Sequence, residues 1–363
     1  MSKQLAGLVL REIKLPLHTP YKLSYRNYTE FEPIIVEAIG EDGVIGWGEG
    51  HISPGSSSET REGGWAFVKE LSAKITGMSL VDAKAEVTRR MAESKVAATS
   101  IITAIEMLQN HSILTVDADT RLPLLTPFNA NDDEGIAREV EQRLASGFRT
   151  FKIKVGQDVE DDIRRFGVIQ KYTDGRATLR VDANRAYSRE DGIKFSSSIN
   201  PEGVELFEQP CDSDDWDANA AVAAASNVPL MLDEPICALP DIERAATIKG
   251  VGFCKLKLKR FGGLDLLRES LDAVREHGME PVLGDGLSSE VCCWMEACVA
   301  RHTIRNAGEF NGFLKPSDRL FANPLRFEDG DIVMPAGYWP NIDRDKLKEA
   351  EKRQERYGET SPD

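Results

Sequence analysis

The first third of the chain consists of short apolar runs separated by turn residues, followed by longer segments with helical spacing. The Asp42-Gly43 pair separates two of these runs and is a strong turn signal, so the runs predict an antiparallel meander. In the last segment, Ile101, Ile105 and Leu108 recur at helical spacing and predict a buried face. The predicted strands are residues 8–17, 33–40 and 44–49, and the predicted helices are residues 58–75, 79–93 and 96–112.

From Leu122 onward, short apolar runs alternate with helical segments. This alternation predicts parallel strands joined by crossover helices, because parallel strands cannot be connected by a tight turn. The predicted helices are residues 158–173, 189–199, 217–226, 241–249, 263–277 and 289–302. The tail from Asp343 is dominated by charged residues and predicts a surface helix that frays at its end.

Seven polar residues recur through this region at nearly even intervals: Lys154, Asp182, Glu208, Asp233, Lys257, Asp285 and Glu309. Their successive spacings are 28, 26, 25, 24, 28 and 24 residues. A strand, a loop and a helix together need about this length in a (β/α) barrel of roughly 250 residues. Most of the seven end an apolar run, so the spacing predicts a TIM-type barrel whose polar strand ends meet on one face.

The acidic members of this series predict a metal site. Asp182, Glu208 and Asp233 end three successive apolar runs. Carboxylates brought together repel one another unless a cation lies between them. Oxygen ligands without Cys or His suit Mg²⁺, or Mn²⁺, better than Zn²⁺. The alternative is that each carboxylate only caps a helix, but three in register favour the metal.

Two groups of lysines predict acid/base chemistry. Lys152 and Lys154 lie two residues apart on one strand, so both face the barrel interior. Lys255, Lys257 and Lys259 repeat the pattern about four strands away, across the barrel. A lysine close to other cations has a lowered pKa and can serve as a general base. The alternative is that these lysines only form salt bridges with the carboxylates.

Composition narrows the range of partners. The chain has 363 residues, 41% of them hydrophobic, and a formal net charge of −15. This charge argues against nucleic acid and anionic membranes as main partners. No apolar run reaches the roughly 18 residues of a membrane span, and no signal peptide is evident. The six cysteines form no CxxC pair, which favours free thiols in a reducing cytoplasm.

Several of these segments together resemble the enolase superfamily, most closely its muconate-lactonizing-enzyme subgroup. The segments are Lys152-Ile-Lys154, Val-Asp182-Ala-Asn184, Phe-Glu208-Gln-Pro210, Leu-Asp233-Glu234-Pro and Lys257-Leu-Lys-Arg-Phe-Gly262-Gly263. The resemblance implies a modified barrel over residues 121–320 and an α+β capping domain over residues 1–120. It also implies that residues 321–363 return to the capping domain, and that the protein is a dimer or octamer.

The resemblance also implies roles for the site residues. Lys154 and Lys257 would be the acid/base pair. Lys152 would contact the substrate carboxylate, and Asn184 and Glu234 would support the site. Asp182, Glu208 and Asp233 would bind Mg²⁺, which accepts the substrate carboxylate and stabilises an enediolate.

Two regions depart from the known subgroups and predict substrate selection. Asp285 lies where another branch of the superfamily carries a histidine, and Glu309 lies where dipeptide epimerases carry Asp-x-Asp. Glu309 is therefore a candidate to bind an ammonium group or an oxyanion, with a rim charge as the alternative. Residues 18–28, which include Tyr21 and Tyr25, predict a loop that closes over the substrate, and residues 51–58 form a second candidate lid.

These observations predict a Mg²⁺-dependent enzyme that removes a proton α to a carboxylate of a small acid or amino-acid derivative. Racemisation, epimerisation and cycloisomerisation are the favoured outcomes. A dehydratase is the nearest alternative, because the same enediolate can expel a β leaving group. A Schiff-base aldolase and a non-catalytic barrel are more remote alternatives, since neither needs a carboxylate trio.

Overall fold

A computed structural model describes residues 3–22 and 26–360 of the protein. The strands are β1 Leu5–Ile13, β2 Leu15–Lys22, β3 Asn27–Phe31, β4 Ile34–Gly40, β5 Ile45–Gly50, β6 Thr120–Pro123, β7 Thr126–Phe128, β8 Thr150–Lys154, β9 Thr178–Asp182, β10 Val204–Glu208, β11 Leu230–Leu232, β12 Val251–Leu256, β13 Glu280–Leu283, β14 Arg326–Glu328, β15 Asp331–Met334 and β16 Glu351–Gly358.

The helices are α1 Arg61–Ile75, α2 Leu80–Arg90, α3 Lys95–Leu108, α4 Asp133–Ala145, α5 Val159–Thr173, α6 Arg189–Ser198, α7 Trp216–Ala225, α8 Leu239–Ala246, α9 Leu258–Phe261, α10 Leu264–Glu276, α11 Glu290–Thr303 and α12 Arg344–Glu349. Within the described part of the chain, none of them combines the length and the apolar character that crossing a membrane requires.

Strands β7 to β13 form a parallel sheet in sequence order, and this sheet is most of a barrel. A short extended segment at Gly308 and Glu309 closes it. Glu309 donates its N–H to Leu283 O at 2.9 Å on one side, and Leu125 donates to Gly308 O at 3.0 Å on the other. The predicted barrel with an α+β N-terminal region is confirmed.

Successive side chains along β8 point alternately to the helices outside the barrel and to its interior. Phe151 and Ile153 point outward and are fully buried in the main hydrophobic core beneath the helices. Lys152 and Lys154 point inward, as predicted from period two. The helices begin close to the predicted positions; Asp158, for example, caps α5 by accepting the N–H groups of Glu160 and Asp161.

The N-terminal region is a four-stranded antiparallel sheet with order β16-β1-β4-β5, covered by α1 to α3. Helix α3 lies directly on β5. A Cβ atom at Gly48 would come within 2.0 Å of Ser100 O, so only glycine permits this approach. The close packing explains why Gly46, Gly48 and Gly50 alternate along the strand.

Two expectations for this region are wrong. Residues 8–17 are not one strand, because the chain breaks at Lys14 and β2 begins at Leu15. The loop predicted over residues 18–28 is wrong for its described parts, since β2 and β3 pair as an antiparallel ribbon in which Tyr21 lies opposite Tyr28. Tyr25 lies outside the described residues.

The tail helix predicted from Asp343 is right only for its first part, because α12 ends at Glu349 and the chain continues as β16. This strand pairs with β1 along its whole length, so it satisfies hydrogen-bonding groups on an otherwise open edge. Its charges have partners in the N-terminal region: Lys352 lies 2.9 Å from Glu12, and Arg353 lies 2.9 Å from Glu62. The edge of a sheet therefore overrides the helical propensity of the charged sequence.

A buried carboxylate joins this region to the barrel. Glu49, at the end of β5, accepts the N–H of Ser289 at 2.6 Å and the N–H of Cys292 at 2.9 Å. It also accepts the hydroxyl of Ser289 at 2.7 Å. Helix α11 has no side-chain cap of its own from Ser289, so Glu49 caps it from the other domain.

We expect Glu49→Ala to lower the free energy of unfolding by about 2–4 kcal/mol, because it leaves buried N–H groups at the start of α11 without acceptors. Glu49→Gln keeps one acceptor oxygen and should lower the free energy of unfolding by less than Glu49→Ala. Urea unfolding of both variants checks this, with the exposed Glu269→Ala as control. A loss for Glu49→Ala no larger than that of the control would contradict the capping role.

Candidate active site

The carboxyl ends of β8, β9 and β10 bring three predicted residues to one level. Lys154 lies opposite Asp182, and Asp182 lies opposite Glu208 in the strand register. Lys154 forms a short ion pair with Asp182 and donates to Asn184 Oδ1 at 2.6 Å. Asp233 follows β11 directly, and its N–H donates to Gln209 Oε1 at 3.0 Å.

Lys152 is the centre of a buried charge cluster one layer deeper. Its ammonium lies 2.9 Å from Asp182, 2.7 Å from Glu208 and 2.9 Å from Glu309. Burial opposes this charge, but the three carboxylates together outweigh burial and raise the pKa of Lys152. Lys152 therefore stays protonated.

Lys255 completes the cluster from the opposite wall. It is buried, lies 3.1 Å from Glu208 Oε1 and forms a short ion pair with Glu309. Burial opposes the charge of Lys255, while Glu208 and Glu309 raise its pKa. The sequence assigned Lys255 no particular role, although its place in the Lys-x-Lys-x-Lys run was a signal that it points inward.

Glu309 is neither a rim charge nor a free acceptor in this structure. It is 6% exposed and is shared by Lys152 and Lys255. Burial opposes ionisation of Glu309, but these two lysines hold its pKa well below the ordinary range. Glu309 therefore compensates part of the positive charge of Lys152 and Lys255 beneath the cavity.

Lys257 follows β12 on the far side of the cavity from Lys154. Its ammonium lies 2.9 Å from Asp233 Oδ2, and Arg260 lies 2.8 Å from Asp233 Oδ1. Burial and the neighbouring Arg260 guanidinium lower the pKa of Lys257, although Asp233 opposes the shift. Arg260, which the sequence assigned no role, thus favours a neutral amine at Lys257.

Asp285 lies two residues beyond β13 and forms a short ion pair with Lys259. Burial opposes ionisation of Asp285, but Lys259 and Lys257 hold its pKa well below the ordinary range. The buried Glu296 accepts the N–H groups of Leu258 at 3.0 Å and Asp285 at 3.2 Å. It thereby ties the ends of β12 and β13 together.

The remaining supports also border the cavity. Asn184 has a φ of 44° and accepts from Lys154, and the left-handed backbone directs its amide to that lysine. Glu234 is 3.6 Å from Arg185, and burial and Asp233 raise the pKa of Glu234. Tyr21 lines the same cavity as Lys154 and Lys257.

The predicted ligands fit Mg²⁺ in their chemistry and in their position at the ends of adjacent strands. Asp182, Glu208 and Asp233 offer only carboxylate oxygens from adjacent strands, the donors that Mg²⁺ prefers. Burial and the charge of Asp182 raise the pKa of Glu208 to about 7, although Lys152 and Lys255 oppose this shift. Glu208 Oε2 is buried without a hydrogen bond, although Lys152 lies 2.7 Å away.

Lysine and arginine side chains form ion pairs with these oxygens in this structure. Among the described residues, the group of three acidic or histidine side chains whose ligand atoms lie within 4.8 Å of one another is Glu106, His111 and Asp265, outside this site. Asp182 is drawn to Lys154, and Asp233 is drawn to Lys257 and Arg260. The ligand types are therefore present, with their oxygens engaged by cationic side chains.

Comparison with known proteins finds relatives that match nearly the whole length of the chain. Muconate cycloisomerase 1 of Acinetobacter baylyi is 26% identical over 360 residues, covering 93% of this chain and 96% of that protein. The N-succinyl Arg/Lys racemase structure from Bacillus cereus has a TM-score of 0.89 at 22% identity, covering 98% of this chain and 100% of the other. A dipeptide epimerase from Cytophaga hutchinsonii, complexed with Mg and the dipeptide D-Ala-L-Val, has a TM-score of 0.87 at 21% identity, covering 98% and 100%.

The family model described as Enolase C-terminal domain-like matches residues 135–338, which include every predicted ligand and both predicted acid/base lysines. The chain belongs to this family and is an isomerase of the enolase superfamily.

Proposed function

We propose that this enzyme removes the proton α to a carboxylate of a small acid or amino-acid derivative and completes a racemisation, epimerisation or cycloisomerisation. The observation that carries the proposal is the placement of two lysines on one cavity. Lys154 ends β8 and Lys257 follows β12, four strands further along the barrel, and both line the cavity. A substrate carbon between them is open to proton transfer on both faces.

The two lysines enter the reaction in opposite states. Lys257, whose pKa is lowered by burial and Arg260, accepts the α-proton as a neutral amine. Lys154, which donates hydrogen bonds to Asp182 and Asn184, delivers a proton to the other face as an ammonium. After the reaction Lys257 is an ammonium and Lys154 is a neutral amine. For the opposite enantiomer the two lysines exchange these roles.

The other charges prepare the site for an anion. Lys152 and Lys255 stay protonated beneath the cavity and favour negative charge above them. Asp182, Glu208 and Asp233 would hold Mg²⁺. When bound, this ion supplies the positive charge that accepts a substrate carboxylate and stabilises the enediolate.

The names of related proteins support this substrate class. They include muconate cycloisomerase, N-succinyl-L-Arg/Lys racemase and L-Ala-D/L-Glu epimerase. The carboxylate trio also argues against a Schiff-base aldolase, because that chemistry does not need one. Lys152, Lys154, Lys255 and Lys257 each lie beside a carboxylate.

We expect Lys154→Ala and Lys257→Ala each to slow racemisation about 10²–10⁴-fold, because each removes one of the two proton-transfer groups. The measurement is ¹H NMR in D₂O with Mg²⁺ and both enantiomers of N-acylamino acids and dipeptides, and with muconate as a cycloisomerase substrate. Each variant should retain α-proton exchange only for the enantiomer whose proton faces the remaining lysine.

The control for both variants is Lys249→Ala, which changes an exposed lysine. If both cavity variants exchange the α-proton of both enantiomers as fast as wild type, the two-lysine assignment is wrong.

We expect EDTA to abolish α-proton exchange and Mg²⁺ to restore it, with Mn²⁺ as a weaker substitute. Mg²⁺ should also raise the melting temperature, because a ligand that binds only the folded state stabilises it by about 2.7 kcal/mol at 100 times its Kd. Glu208→Gln should lose this thermal shift, whereas the exposed Glu202→Gln should keep it. An equal shift in both variants would remove Glu208 from the ligand set.

A further inference from the structure

Arg185 is a charged side chain beside the cavity to which the proposed reaction assigns no role. It follows Asn184 in the loop after β9, and its side chain is 25% exposed. Its Nη2 donates to Gly55 O at 3.2 Å, and its Nε lies 3.6 Å from Glu234 Oε1. One residue thereby connects the N-terminal region with two loops at the carboxyl end of the barrel.

The backbone at Arg185 is held in an unfavourable conformation. Arg185 has a φ of 69° and the preceding Asn184 has a φ of 44°, so two successive residues with side chains occupy the left-handed region. Asparagine tolerates this region, whereas arginine is uncommon there. The N–H of Arg185 donates to Gln209 O at 2.9 Å, which fixes the turn against the loop after β10. A charged side chain kept at a strained position next to the site is a candidate for a functional contact.

The N-terminal partner of Arg185 belongs to the outer part of the second predicted lid, residues 51–58. Residues 51–53 are buried, whereas residues 54–58 are partly or fully exposed. Among the described residues, the bond from Arg185 to Gly55 is the only hydrogen bond that joins residues 54–58 to the barrel. The outer part of this lid therefore depends on Arg185 for its polar attachment.

Residues 54–58 also form part of the wall of the cavity. Ser56 lines it together with Tyr21, and the other described residues that line it belong to the barrel. The cavity has a volume of about 50 Å³, whereas pockets that hold small molecules have volumes of about 300–1,000 Å³. The walls must therefore move apart to admit a substrate. The barrel wall is built on strands that are bonded to neighbours on both sides, but residues 54–58 have a single hydrogen bond to the barrel to break.

A guanidinium is suited to hold such a segment. It offers donors in a fixed fork, so it can face a carboxylate with one edge and donate to a carbonyl with another. Glu234, whose side chain is 9% exposed, supplies the charge that keeps Arg185 at the barrel. Their 3.6 Å separation is too long for a hydrogen bond, so the hydrogen bond that the guanidinium makes here is the one to Gly55.

We propose that Arg185 is a positioning residue that tethers residues 54–58 to the barrel, so that the cavity opens when its bond to Gly55 breaks and closes when the bond forms again. Glu234 holds the guanidinium at the barrel between these events. The inference rests on the proposed function only for the identity of the molecule that enters the cavity.

Hydrogen–deuterium exchange, followed by mass spectrometry of peptides, measures this tether in the enzyme with Mg²⁺ and without any substrate. Arg185→Asn removes the guanidinium but keeps a residue that tolerates the left-handed backbone. The amides of residues 55–58 should then exchange about 10- to 100-fold faster than in wild type, the range expected for loss of a hydrogen bond to a charged group. Peptides from α5 and α10 should exchange as in wild type, which would show that the variant is folded.

Two further variants separate the tether from other effects. Arg189→Asn changes an exposed arginine close by and should leave the exchange of residues 55–58 unchanged. Arg185→Lys keeps the charge beside Glu234 but lacks the fork that reaches both partners, so it should recover only part of the protection.

The proposal is overturned if residues 55–58 of Arg185→Asn exchange within twofold of wild type, or if Arg189→Asn has the same effect as Arg185→Asn. If Arg185→Asn does not fold, Arg185→Lys takes its place. Exchange of residues 55–58 at the wild-type rate in that variant would equally overturn the tether.

Kinetics on the acid that exchanges its α-proton fastest in D₂O test the proposed function separately. Loss of the tether should raise KM in Arg185→Asn more than it lowers kcat, because only the closed fraction of the enzyme retains substrate. A loss confined to kcat would contradict the tether and would place Arg185 with the reacting groups. If no acid exchanges its α-proton, the proposed function fails, whereas the deuterium exchange of residues 55–58 still decides the tether.

Discussion

Compensation of charge inside a barrel is the constraint on which the rest of this structure depends. Lys152 and Lys255 are only 3% and 2% exposed, and an isolated ammonium at either position would be very unfavourable. Asp182, Glu208 and Glu309 make the burial tolerable, and each carboxylate in turn needs the lysines. Removing one member leaves its partners with an uncompensated buried charge. The stability of each of these residues therefore depends on the others.

The fold supplies the positions that this compensation requires. Period-two alternation points charged residues inward while Phe151 and Ile153 hold the same strand against the helices. The ends of β12 and β13 are fixed by Glu296, which accepts an N–H from each loop. Glu49 fixes the N-terminal sheet on the barrel. Buried carboxylates thus fix the backbone at the periphery of the site and compensate the charge of the lysines at its centre.

The barrel and its polar strand ends could be read from sequence because both depend on short-range rules. A strand, loop and helix repeat sets the spacing of Lys154, Asp182 and Glu208, and alternation sets their direction. The ion-pair partners of Glu309 could not be predicted from these rules, since Lys152 and Lys255 approach it only when the barrel closes.

Strands β1 and β16 are far apart in sequence but pair with each other from Gly7 to Ile13 of β1. During synthesis, β1 is made before the barrel strands, and the edge of β1 that pairs with β16 stays open until β16 has been made. The barrel, which lies between them in sequence, can form while this sheet is still incomplete. The N-terminal sheet is therefore completed only once β16 has been made, and until then the open edge of β1 is available for mispairing.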